Sequence, residues 1–134
     1  MDVFSIPGKL QVTYVPEAHA IVDRWESYGV TVAQFRDAIL GKALPQARVQ
    51  GARAWVVDST KATGAFAQEI QKLIEAEVFP AFVRSGIKYF ITIASGSAIT
   101  NMSIRSYKAK AGPSGLQVVE VPSVADAIRW LQAH

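Results

Sequence analysis

Two periods of hydrophobic and polar residues run along this chain, and the switches between them mark its elements. Leu10, Val12 and Tyr14 alternate with Gln11 and Thr13, the period of two expected of a strand covered on one face. Pro16-Glu17-Ala18 suits a tight turn, because proline presets the backbone angle at a turn's second position. Ala20 to Trp25 resumes a strand, so the two segments are expected to pair as an antiparallel hairpin, with Tyr28-Gly29 closing the unit. The period then lengthens. Thr31 and Gln34 stand at capping-box spacing. Val32, Phe35, Ile39 and Leu40 follow on one helical stripe, and Pro45 is expected to stop that helix.

Ala54-Trp55-Val56-Val57 is a near-continuous apolar run of β-branched and aromatic residues, as expected of a central strand buried on both faces. A longer helix follows, carrying Phe66, Ile70, Leu73 and Ile74. Pro80 interrupts it, yet Ala81, Phe82 and Val83 keep the apolar character, which predicts a kink or a restart. Ser85-Gly86 ends it in the usual way for a helix C-terminus. Ile87 to Ala94 reads as a second buried strand, followed by Ser95-Gly96-Ser97 and a helix rich in hydroxyls at Thr100, Ser103 and Ser106. After the turn Gly112-Pro113-Ser114-Gly115, Leu116 to Val121 is a further β run. Ser123 then caps a helix with Val124, Ala127, Ile128 and Leu131 on one face. The order β-β-α-β-α-β-α-β-α predicts an α/β fold: a mostly parallel sheet with an N-terminal antiparallel hairpin, in one domain.

Composition narrows the class. Half of the 134 residues are hydrophobic and 19% are charged, a globular balance. The net charge of +3 is mild, and the densest basic cluster, Arg105, Lys108 and Lys110, reads as solvated helix-end cations, so no nucleic-acid partner is expected. The absence of cysteine excludes disulfides and thiolate chemistry and suits a cytoplasmic protein. No apolar run reaches the ~20 residues of a membrane span, and Met1 to Ser5 lacks a signal-peptide pattern.

Candidate chemistry gathers where strands end. Asp58, Ser59, Thr60, Lys61, Thr63 and Gly64 follow the central strand, the usual place for a site in an α/β protein. They suit an anion or phosphoryl group, with Lys61 neutralising charge, and they equally suit hydrogen bonds within the loop and to the helix start. Ser95, Gly96 and Ser97 repeat the pattern at the next strand, so the two loops are expected to face each other across a crevice. His19 and His134 are the only histidines, stand far from Asp58 in sequence and read as surface residues. Glu75 and Glu77, two apart on a helix, point to different faces. No catalytic set, metal site or cofactor is therefore expected. Trp130 lies off the apolar stripe of its helix, and Trp25 lies near an outer hairpin; each is either a packing residue or an interface anchor.

The order of these elements, with Ala20-Ile21-Val22 running on to Trp25, then Val57-Asp58-Ser59 and Val78-Phe79-Pro80-Ala81-Phe82, resembles the STAS domain, the sulfate-transporter and anti-sigma-factor-antagonist family. Asn101-Met102-Ser103-Ile104 and the closing stretch from Val124 to Leu131 extend the likeness over most of the chain, closest to small stand-alone bacterial members. The resemblance implies a non-catalytic regulatory module that binds a protein partner or a second copy of itself. In the antagonist branch a serine after the central strand is phosphorylated as a switch. Asp58-Ser59-Thr60 matches its acid and hydroxyls, but Lys61 stands where a glycine should follow, and the glycine comes later as Gly64. The fold is shared with CRAL-TRIO lipid carriers, which implies an alternative role as carrier or sensor of a small hydrophobic or anionic ligand. Its cavity would lie between the sheet and the helices bearing Phe66, Ile70, Phe79, Phe82 and Met102.

Overall fold

A computed structural model describes residues 1–134. Six strands form one sheet in the order β1-β2-β3-β4-β5-β6: Asp2–Ile6, Leu10–Val15, Ala20–Trp25, Ala54–Asp58, Tyr89–Ile93 and Gln117–Glu120. β2 pairs antiparallel with both β1 and β3, whereas β3, β4, β5 and β6 run parallel to one another. The α/β class and the antiparallel hairpin are as the pattern predicts. The edge strand β1 is an addition to it: its residues are mostly half-buried or exposed and show no clean alternation.

Because strand order follows chain order, crossovers of one hand carry every connecting helix to the same side. Phe35, Ile39, Ile70, Phe79, Phe82 and Tyr107 accordingly share one core with Ile21, Trp25, Trp55 and Phe90 of the sheet. The other face is covered by the last helix, α6 (Val124–Gln132), whose Ala127 and Leu131 pack on Ala20, Val22, Val56 and Ile91. β4 is thus buried on both sides, which is why it needs no alternation.

The two crossover helices share an unusual construction. The first runs through α1 (Val32–Arg36), a π-helical stretch Asp37–Ala43 and α2 (Leu44–Gln50). The second runs through α3 (Gln68–Leu73), a π-helical stretch Ile74–Val78 and α4 (Phe79–Arg84). In each, the residue before the proline donates its N–H five residues back: Leu44 to the Ile39 carbonyl and Phe79 to that of Ile74. A proline ring inside an α-helix collides with the carbonyl four residues earlier. Those carbonyls belong to Gly41 and Ala76, both within the widened turns, so the helix passes each proline. This corrects the expectation that Pro45 stops the first helix. Phe66 also precedes its helix, packing as a buried loop residue.

The capping readings hold. Thr31 and Gln34 form a reciprocal capping box, Ser123 caps α6 through the Asp126 N–H, and Ser97 caps α5 (Ala98–Ala111) through that of Thr100.

Candidate functional site

The two loops predicted to flank a crevice are brought together, but they close on each other. Ser95 Oγ donates to the Ala62 carbonyl at 2.7 Å and Thr100 Oγ1 donates to that of Gly64 at 2.6 Å. Asp58 Oδ1 accepts from the Thr60 N–H at 3.1 Å and hydroxyl at 2.6 Å, a local turn. Gly64 adopts φ +81°, the left-handed conformation that favours glycine. Ser97 serves as a cap, and Gly96, Lys61 and Thr63 face solvent. On the opposite side of these strand ends Arg24, Asp58, Thr60 and Lys61 line a broad open groove of about 800 Å³, whose rim also carries Lys9, Glu26 and Ser123. Its charges are of both signs.

Ser59 departs from its neighbours. It is fully buried, with its hydroxyl 2.6 Å from that of Tyr28, which lies 2.9 Å from that of Tyr107. Burial pushes both phenols upward, and each stays neutral. A kinase has no access to this hydroxyl in the folded chain, whereas Thr60 and Thr63 are exposed. Trp25 is 3% exposed and packs in the core between Phe35 and Phe66, the packing alternative of its two readings. Trp130 is half-buried, edge-on to Tyr89 and stacked on His134 at 3.9 Å between ring centroids.

The feature missed from sequence is Asp23. It occupies the middle of β3, between Val12 on β2 and Val57 on β4, facing the helix-covered core at 3% exposure. The Trp55 indole N–H donates to its Oδ2 at 2.8 Å. Its Oδ1 is buried without a partner. Desolvation raises the carboxyl from an ordinary 3.8 to about 7. The indoles of Trp55 and Trp25 favour the charged form, and the charge on Asp58 opposes it. Trp25 nevertheless makes no hydrogen bond of proper geometry, so Oδ1 stays open.

Asp23 is the one polar member of the lining of a cavity of about 30 Å³. Trp25, Phe35 and Phe66 form one side, and Trp55, Phe79, Phe82 and Phe90 form another. Tyr107, Val57 and the π-helical Ile39, Ile74 and Val78 complete it. Of the residues expected around such a cavity, Phe66, Phe79 and Phe82 line this one, Ile70 is buried outside its lining, and Met102 is 63% exposed. A signal for Asp23 exists in the sequence: with period two it shares a strand face with Ile21 and Trp25, both strongly apolar. A carboxylate in that phase must be either paired or functional.

What the arrangement can do is bind. A space of this size admits about two water-sized groups or the small end of a longer molecule, and its walls offer burial with a single hydrogen-bond acceptor. Comparison with known proteins adds nothing to this geometry: no family model, curated protein or solved structure matches the chain.

Proposed function

We propose that the chain is a non-catalytic, STAS-like binding module that receives a small, largely apolar ligand, or the end of one, beneath its crossover helices. The carrying observation is the unpartnered Asp23 Oδ1 within an otherwise apolar lining. A buried carboxylate with an open acceptor costs stability, and a cavity beside it gives that cost a use. Both π-helical stretches contribute to the same wall, and such turns are frequent at functional sites. The test is titration with 1-propanol followed by NMR. The Trp55 indole N–H and the methyls of Ile39 and Val78 should shift saturably; unmoved resonances would overturn the reading.

A second reading, action through protein contacts, rests on Ile99 and Met102. They sit three residues apart on α5 and are 62% and 63% exposed. Such a pair suits a small apolar contact with a partner or a second copy. The rotational correlation time of the same NMR sample tests the homodimer: a value fitting 14.5 kDa rules it out.

A further inference from the structure

We propose that the cavity is an organic-cation site: it takes an ammonium head group, primary or methylated, with the nitrogen against Asp23 Oδ1 and its carbon substituents against the aromatic rings. This rests on the cavity being a ligand site and names the chemistry it selects.

Three observations lead there. The first is charge. Asp23 has a neutral indole on Oδ2 and nothing on Oδ1, so no group of the chain neutralises its ionised form. The nearest basic side chain in sequence, Arg24, projects to the opposite face of β3 and lies 3.8 Å from Asp58. A neutral donor on Oδ1 would complete the hydrogen bonds yet leave a buried negative charge, whereas a cation completes both.

The second is the lining. Two tryptophans, five phenylalanines and one tyrosine make up most of the wall around this carboxylate. Aromatic rings attract cations through their quadrupoles, and a ring-lined box with one acid is the arrangement that recognises ammonium ligands. A purely hydrocarbon ligand would need the rings and have no use for the acid.

The third is size. About 30 Å³ holds about two water-sized groups, an ammonium nitrogen and its first carbon, and the rest of a longer chain would lie beyond the cavity. At the surface, Arg36 of α1 is tied to the second π-helical stretch, its two terminal nitrogens binding Glu77 at 2.8 and 3.0 Å.

Ionisation supports the assignment. The groups that act on Asp23 and can titrate or carry charge are Tyr28 and Tyr107, both neutral, and Asp58, which lies outside the cavity at the end of β4. β2 presents Val12, and the covering helices present only rings and aliphatic chains. Loss of the Asp23 proton near pH 7 is therefore the titration that governs a cation's access.

Propylammonium and 1-propanol, matched in size, provide the test. With the native chain at about pH 8, NMR titration should show the ammonium binding at least about tenfold more tightly than the alcohol. That advantage should shrink about tenfold per unit as pH falls below 7 and vanish in Asp23→Asn, which keeps the shape without the charge. Asp58→Asn, a nearby carboxylate outside the cavity, should preserve it. Alcohol binding as tightly as ammonium, or an ammonium preference that survives Asp23→Asn, overturns the cation assignment while leaving the cavity reading intact. Neither probe binding overturns both.

Discussion

Two buried polar groups lie close together in the core, and they are built to opposite plans. Ser59, Tyr28 and Tyr107 form a chain of hydroxyls in which each oxygen has a neighbour within 2.9 Å. Asp23 has one oxygen bonded to Trp55 and the other left open into a cavity. The hydroxyl chain is neutral, satisfied and closed, as buried networks are when they serve the fold. The carboxylate is the costlier group to bury and has the less complete shell. A fold that needed only a packed strand would place valine there. The contrast separates a structural polar group from one kept for a ligand, and burial alone does not distinguish them.

The sharpest way to break the closed member is Ser59→Glu, which forces an unpaired carboxylate into a site with no exposure. It should cost several kcal/mol, a large share of a typical total of about 5–15, and leave the chain largely unfolded. Thermal unfolding checks it: a melting temperature near the parent's would mean that Ser59 is not held as described. Thr60→Glu, one residue on and exposed, loses only the hydroxyl bond to Asp58 and should cost about 1 kcal/mol in the same assay, far less than Ser59→Glu. A charge switch on this loop would therefore act at Thr60 or Thr63 and leave Ser59 to the core.

The open member should break in the other direction. The folded chain holds the Asp23 proton up to about pH 7, while an unfolded chain releases it near 3.8. Between those values the folded state binds the extra proton, so stability falls as pH rises and levels off above 7. The span corresponds to a loss on the order of 4 kcal/mol. Asp23→Asn removes the dependence. Its melting temperature at about pH 8 should exceed the parent's by several degrees, with the two converging near pH 4. Parallel pH profiles for parent and variant would show that the carboxyl is already compensated.

Much of the fold could be read from the chain because its elements follow simple periods. The hairpin Leu10–Val15 and Ala20–Trp25, the apolar run of β4 and the caps at Thr31, Ser97 and Ser123 each follow from local residue chemistry. β1 was not legible, because an edge strand with one neighbour and partial burial needs no strong alternation. Pro45 misled because the rule against proline assumes an α-helical turn around it. The site was harder to see. Attention to strand ends, where α/β proteins usually place ligands, led to loops whose polar groups bind each other. Asp23 sits mid-strand, where its phase with Ile21 and Trp25 is informative only to a reader looking for a polar residue in an apolar row.

The π-helical turns also set how the cavity wall can vary. Such a turn holds one residue more than an α turn, so everything after it is rotated by about 100° relative to an unbroken helix. Leu44 and Ala47 in the first rod, and Phe79 and Phe82 in the second, face the sheet with that rotation in place. Removing a single residue from Asp37–Ala43 would swing the buried side of α2 by about 100° away from the sheet and drive the Pro45 ring against the carbonyl four residues earlier. Insertions and deletions of one residue, more than exchanges of side chain, are thus the coarse adjustment of this wall.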